Sequence, residues 1–137
     1  MKFLLMIYTD DSLLEALPDG AFDQMMHGCI AHADDLKARG TLIESQQLEH
    51  GRAARTVRVR DGKTSIIDGP FAETKEILGG YNLIEADSLD EAVKIAQEFP
   101  WIGTGSIEVR PVRDFDEVRR RVGAWATSPS AHPGGGA

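Results

Sequence analysis

The sequence predicts an α+β sandwich of the ferredoxin-like kind, with a β-hairpin inserted in the middle. The apolar run from Phe3 to Tyr8 is continuous and has the length of a central strand covered on both faces. Two amphipathic helical patterns follow it, one on each side of a predicted hairpin. The resulting order of strand, helix, strands, helix and strand is typical of this fold class.

The first helix is predicted where apolar residues recur at helical spacing, from Phe22 to Leu36. Gly40 follows at the position where a left-handed residue commonly closes a helix. Leu42 to Leu48 are then expected to be extended. The stretch between Thr9 and Gly20 holds acidic and turn-forming residues, and no regular element is predicted there.

The inserted hairpin is predicted because apolar and polar residues begin to alternate, with a period of two, at position 55. Val57 and Val59 fall on one face of this strand. The dipeptide Asp61-Gly62 is a strong signal for a tight turn between two strands. Lys63 to Ile67 should therefore run back antiparallel to the first strand of the hairpin.

The second half begins with Gly79-Gly80, a pair that allows a bulge or a close approach of backbones. A strand is predicted from Tyr81 to Ala86. Ser88 and Glu91 then have the spacing of a capping box at the start of the second helix. Pro100 ends that helix, and alternating residues around positions 107–109 predict the last strand.

The end of the chain has a weaker pattern. Phe115 to Trp125 can form a short amphipathic helix, whereas the following residues are rich in Gly, Pro and Ser. Such a composition buries too little apolar surface to offset its ordering entropy. We therefore expect one domain over residues 1–125 and a disordered tail over residues 126–137.

Composition limits the classes of function. The net charge of −7 disfavours direct nucleic-acid binding, which requires a basic surface. The single cysteine excludes an internal disulfide, and no stretch has the apolar length of a membrane span or the layout of a signal peptide. A cytoplasmic protein is expected. One local basic patch is interpreted as the solvated face of a strand, and the alternative is that it binds an anion. The patch consists of Arg52, Arg55, Arg58, Arg60 and Lys63.

The segment Asp68 to Glu76 is the densest in chemistry, with the sequence Asp-Gly-Pro-Phe-Ala-Glu-Thr-Lys-Glu. Pro70 fixes its own backbone, so a sharp turn is expected there, followed by a short helical turn. Together with Gly79-Gly80-Tyr81 and Ile107-Glu-Val-Arg-Pro111, this motif resembles the YCII-related family, and in particular the branch named for the Asp-Gly-Pro-Phe motif.

The resemblance covers residues 1 to about 112 and implies a dimeric α/β-barrel type of assembly, in which two ferredoxin-like units pack sheet against sheet. Enzymatic activity has been suspected in that family because of a His and Asp pair, and some members are linked to sigma-70-type transcription factors. In this chain Cys29 stands near the place of the family's histidine, with His27 and His32 on either side.

Two residues are candidates for acid/base catalysis. Asp68 can act as an acid or base if packing desolvates it, because burial raises the pKa of a carboxylate; alternatively it fixes the turn by bonding backbone amides. His32 lies on the flank of the first helix and either lines a cleft or is a half-buried structural histidine. Candidate ligand contacts come from the motif: Phe71, Glu73 and Lys75.

No metal or cofactor is predicted. His27, Cys29 and His32 do not converge on one helix face, and Cys29 is expected to be a small core residue. The common cofactor fingerprints are absent from the sequence. The favoured hypothesis is a cofactor-independent small-molecule-binding protein or acid/base enzyme, and the alternative is a regulatory partner of a sigma-70-type factor.

A homodimer is expected from the first strand. It is apolar at every position from Phe3 to Ile7, so residues such as Leu4 and Met6 must point to the sheet face that two helices cannot cover. A second copy could cover that face. Within one chain, the segment Phe115 to Trp125 is the competing candidate for a cover.

Overall fold

The computed structural model describes residues 1–72 and 74–124. Four antiparallel strands form the main sheet, two more form a separate hairpin, and helices connect them. The strands are β1 (Lys2–Asp10), β2 (Leu42–Gln47), β3 (Arg55–Arg60), β4 (Lys63–Asp68), β5 (Glu76–Glu85) and β6 (Gly105–Pro111). The helices are α1 (Asp11–Glu15), α2 (Ala21–Ala38), α3 (Leu89–Gln97) and α4 (Phe115–Val122).

The main sheet has the strand order β2-β5-β1-β6, and every neighbouring pair is antiparallel. The apolar strand β1 therefore lies in the interior of the sheet, as predicted. With α2 and α3 connecting the strands, this order is that of the ferredoxin-like fold. The predicted α+β class and the inserted hairpin β3–β4 are confirmed.

The two faces of the sheet differ because side chains alternate along each strand. Phe3 pairs with Ile84 and Leu5 with Asn82, and all four residues are buried on the face toward α2 and α3. Leu4 and Met6 point the other way and are half-buried. The helix-facing core consists of Phe3, Leu5, Cys29, Leu36, Ile84, Ala86, Ala92, Ile95, Ala96 and Phe99.

Local sequence signals position the elements as expected. Gly40 adopts φ +77° after α2, and Ser88 Oγ accepts from the amide of Glu91 at 3.1 Å. Asp61 and Gly62 both have positive φ, which is the backbone that a two-residue hairpin turn requires. These caps and turns depend on neighbours in sequence, so the sequence alone predicts them.

Two local expectations differ from the structure. Helix α1 was not predicted; its first residue follows Asp10, whose carboxylate accepts from the amide of Ser12 at 2.9 Å. The helical turn expected after Pro70 is absent from the described residues of that segment. Gly69 has φ +96°, so the chain turns through a left-handed glycine instead.

The hairpin carries an exposed apolar face. Val57 lies directly opposite Ile66, and the exposed fractions of these residues are 66% and 65%. Helix α4 is also peripheral, because Phe115 is 61% exposed. Its described residues do not cover the half-buried sheet face as the competing hypothesis required. Trp125 and the predicted tail over residues 126–137 lie outside the described residues.

No helix in the described part of the chain is long and apolar enough to cross a membrane.

Candidate functional site

The Asp68 carboxylate lies at the end of β4, on the hairpin. Its side chain is 90% exposed, and Oδ1 lies 3.6 Å from Nε of Arg55 on the facing strand. Among the described residues, its carboxylate accepts none of the expected bonds from the backbone amides after it. Two cavities lie beside the sheet, and Asp68 borders neither of them.

The ligand-contact candidates of the motif have different surroundings. Phe71 is 71% exposed, and the guanidinium carbon of Arg58 lies 5.0 Å from its ring centroid. Lys75 Nζ lies 3.8 Å from the buried carboxylate of Asp10. Glu73 lies outside the described residues.

His32 is half-buried between α2 and the end of α3. Its ring meets Phe99 edge-on at 4.4 Å between centroids. Nε2 is 3.5 Å from Oε1 of Glu98, but the two atoms are not aligned for a hydrogen bond, and Nε2 has no other partner in the described part of the protein. His32 borders neither cavity.

Cys29 is a core residue, as predicted, and is 5% exposed. Burial raises the pKa of its thiol, so the thiol stays protonated near neutral pH. His27, two residues earlier, is exposed on α2. Among the described residues, no group of three or more His, Cys, Asp or Glu side chains could hold a metal ion.

A cavity of about 300 Å³ lies between α2 and the sheet. Its wall on the helix side is apolar and includes Met26 and Ile30, and Phe22 and Trp101 meet edge-on beside it at 6.1 Å between centroids. The sheet side comes from β1, β2 and β5. There Gly79 and Gly80 contribute only backbone atoms to the wall.

The glycine pair lies at an irregularity of the sheet. The register between β1 and β5 shifts between Ile7 and Tyr8, opposite this pair. A Cβ atom on Gly80 would lie 2.7 Å from the carbonyl oxygen of Gln46 on β2. Both readings of Gly79-Gly80, a bulge and a close backbone approach, are therefore confirmed.

Asn82 forms part of the cavity wall from the middle of β5. The residue is 3% exposed, and Oδ1 has no hydrogen-bond partner in the structure of residues 1–72 and 74–124. It lies opposite Leu5 on β1 and Ser45 on β2. A buried polar atom without a partner is uncommon and costs free energy.

His50 and Asp11 form a hydrogen-bonded pair at the wall of the same cavity. His50 Nε2 lies 2.8 Å from Asp11 Oδ2, and His50 Nδ1 accepts from the amide of Arg52 at 3.1 Å. Because Nδ1 faces a backbone N–H, the neutral ring carries its proton on Nε2 and donates it to Asp11. The side chains are 42% and 47% exposed, so water and ligands can reach them.

The pair is held by short local structures. Asp11 is the first residue of α1, directly after β1. His50 precedes the short 3₁₀ turn Gly51–Ala53, and its ring caps this turn by accepting from the amide of Arg52. The two residues are 39 positions apart, so no sequence spacing points to them; only the pairing of β1 and β2 with β5 brings them together.

A second cavity, of about 640 Å³, adjoins the first and shares His50 and Gly51 with it. Pro70, Phe71 and Thr74 of the motif form one side of it. The motif therefore borders a cavity, although not through Asp68.

Charge is distributed unevenly around the first cavity. Asp11 and Glu49 are the acidic residues at its wall, and no Lys or Arg of the described chain lines it. The basic side chains of the hairpin lie elsewhere. The first cavity is thus apolar on the helix side and polar to acidic at its opposite edge.

Comparisons with known proteins identify the family of the chain. The model of the YCII-related domain matches residues 1–116. A protein of Rhizobium meliloti (strain 1021), named "Uncharacterized protein R00369", is 37% identical over 114 residues, which span 82% of this chain and 92% of the relative.

Among solved structures, one similar chain is 5-chloro-2-hydroxyhydroquinone dehydrochlorinase (TftG) from Burkholderia phenoliruptrix AC1100, in complex with 2,5-dihydroxybenzoquinone. The TM-score is 0.43 at 16% identity, and the match covers 82% of this chain and 94% of that chain. The family match and the relative together settle the classification, and the chain belongs to the YCII-related family.

Proposed function

We propose that this protein binds a small organic molecule in the cavity between α2 and the sheet, and that the His50–Asp11 pair exchanges a proton with it. The observation that supports this is the hydrogen-bonded pair at the wall of a cavity of about 300 Å³. Cavities of this size are typical of small-molecule sites. No cofactor is required by the proposal.

In the proposed chemistry Asp11 is the proton acceptor. Its Oδ2 already accepts from His50 Nε2, so the ring steadies the carboxylate and stabilises its charge. The second oxygen, Oδ1, is left for a proton of the ligand. His50 is a positioning residue here, because both of its ring nitrogens are engaged.

This proposal assigns proton transfer to Asp11 rather than to Asp68 or His32. Asp68 is an exposed carboxylate on the hairpin, and His32 is packed against Phe99. Neither borders a cavity. Phe71 forms part of the wall of the second cavity, and Lys75 forms an ion pair with Asp10.

A melting-temperature screen against a metabolite library tests the proposal, because a molecule that binds only the native state raises its stability. For each stabilising compound, turnover is then followed with Asp11→Asn and His50→Gln. We expect both variants to bind the compound and to lose turnover. Matched controls on exposed helix positions, Asp34→Asn and His27→Gln, should behave as wild type. A screen without any stabilising compound would contradict the binding function.

We also propose that the working unit is a homodimer formed through the sheet face opposite the helices. Leu4, Met6 and Leu83 are half-buried on that face, and no helix of the described chain covers it. Light scattering at micromolar concentration should give twice the 15.0 kDa mass of one chain. A mass of one chain would refute the dimer.

A regulatory partnership with a sigma-70-type factor is the second candidate function. The exposed apolar face of the hairpin around Val57, Val59 and Ile66 favours it, because such a patch on a basic strand pair suits a protein partner. A pull-down with Val57→Ser as the matched control tests it. Absence of any sigma factor from the wild-type sample would count against this function.

A further inference from the structure

The amide of Asn82 points to the class of molecule that the cavity takes. Oδ1 is buried and has no partner within the described structure, and the residue Asn82 lines the cavity between α2 and the sheet. Folding leaves this acceptor without the hydrogen bond that it makes with water in the unfolded chain. A ligand that donates a hydrogen bond to Oδ1 recovers that loss and thus gains affinity.

The remaining wall restricts the ligand further. Phe22, Met26 and Trp101 offer flat, apolar surface suited to a ring. The charged groups nearby are Asp11 and Glu49, and no Lys or Arg in the described residues faces the cavity to compensate a negative ligand. An anion entering this site would lose its hydration without gaining a counter-charge.

We propose that the cavity takes an uncharged, ring-sized organic compound whose hydroxyl or N–H group donates a hydrogen bond to Oδ1 of Asn82. This inference rests on the small-molecule function proposed above and specifies its ligand. It assigns a recognition role to Asn82, which is separate from the proton transfer at Asp11.

Indole and benzofuran are a matched pair of probes. They share one bicyclic shape, and only indole has an N–H donor. Isothermal titration of the full chain should give indole an affinity about five- to tenfold higher, the range of one net hydrogen bond to a buried acceptor. Indole-3-carboxylate, which adds a negative charge, should bind more weakly than indole.

Three outcomes would overturn the inference. They are equal or tighter binding of benzofuran, tightest binding of the carboxylate, and no binding of indole up to its solubility limit. The wild-type comparison needs no variant, so it remains decisive even if a substitution in β5 impairs folding. In addition, the side-chain amide signals of Asn82 in a ¹⁵N-edited spectrum should shift with indole.

Asn82→Leu tests the assigned atom. This variant should bind indole and benzofuran equally, whereas Ser45→Ala, altered at the facing position on β2, should keep the preference. A folded Asn82→Leu variant that still prefers indole would refute the role of Asn82.

The outcomes for the two proposals are distinguishable. If the metabolite screen identifies a carboxylate or phosphate that binds this cavity, the small-molecule function holds and the ligand class proposed here is wrong. If no compound stabilises the protein and indole does not bind, both proposals fail.

Discussion

The layer between the helices and the sheet has two ends with opposite character. At one end Phe3, Leu36 and Ile84 are completely buried against each other and against α3. At the other end of the same strands, Gly80 and Asn82 lie under α2, and a cavity replaces the packed side chains. Both ends belong to one continuous sheet and are only a few residues apart on β5.

The difference shows where stability and binding reside. The packed end removes large apolar side chains from water, and this is the main favourable term in folding. At the cavity end, Asn82 has a hydrogen-bond acceptor without a partner in the described structure, and His50 and Asp11 form a polar pair. These groups can interact with a ligand. Substitutions at the two ends should therefore have different consequences.

The largest effect is expected at the packed end. Leu36→Ala removes a side chain with no exposed surface, so the free energy of unfolding should fall by about 2–5 kcal/mol. Urea denaturation measures this change. Ile30→Ala, on the same helix at the cavity wall and 54% exposed, is the matched control and should cost less than about 1 kcal/mol. If both variants lost the same free energy of unfolding, the packed end and the cavity end would contribute equally to stability.

Gly80→Ala should have the next largest effect, although it lies at the cavity end. Its Cβ would lie 2.7 Å from the backbone carbonyl oxygen of Gln46, so β2 and β5 must shift apart. We expect a loss of about 1–3 kcal/mol in thermal or urea denaturation, as for other overpacked sites. Gly103→Ala, where an added Cβ meets no atom within 4 Å, is the control. If Gly80→Ala left the free energy of unfolding unchanged, β2 and β5 would be able to move apart at no cost in stability.

A smaller effect, of the opposite sign, is expected at Asn82. Asn82→Leu removes a buried acceptor that has no partner in the described structure, so stability without ligand should stay within about 1 kcal/mol of wild type or rise. Differential scanning calorimetry without ligand measures it. A loss of several kcal/mol would mean that Asn82 supports the fold through contacts of its own.

The smallest effect concerns the pH dependence of stability. The Ser12 hydroxyl, 2.6 Å from Oδ1 of Asp10, lowers the pKa of this carboxyl, which ends β1 beside the cavity. The folded protein therefore binds this proton more weakly than the unfolded chain does. The contribution of Asp10 is complete above its unfolded pKa of about 3.9 and is lost as pH falls through the lower folded pKa.

Denaturation midpoints between pH 5 and about pH 3 provide the measurement for Asp10, since this range brackets the unfolded pKa. Asp10→Asn should show a shallower decline of stability with falling pH than wild type. Asp34→Asn, an exposed position on α2, should decline as wild type does. Parallel curves for wild type and Asp10→Asn would contradict a lowered pKa.

The sequence predicts much of the fold because the signals are local. Asp61-Gly62, Ser88 with Glu91, and Gly40 each determine a turn or cap within four residues. Helix α1 was not predicted because five residues carry no helical period, although Asp10 two residues before Ser12 is a capping signal.

The candidate site could not be predicted in the same way. His50 lies in a loop and Asp11 at the start of α1, and Asn82 lies on a predicted strand with no sequence signal for a role at a cavity. Their proximity follows from strand pairing over long sequence separations. Asp68 was predicted as a candidate because several charged residues lie close to it in sequence. The density of charged residues in a sequence does not determine burial, and the side chain of Asp68 lies in solvent.

The segment that contains the hairpin leaves and rejoins the sheet on two neighbouring strands, β2 and β5. Leu48 donates its amide to the carbonyl of Gly79 at 2.8 Å, so the chain leaves β2 and re-enters β5 at hydrogen-bonded neighbours. The residues between Leu48 and the start of β5 at Glu76 can change in length without altering the register of the four strands. Because this segment also carries His50 and Phe71, which border the two cavities, replacing it would change the walls of both cavities and leave the four-stranded sheet in place.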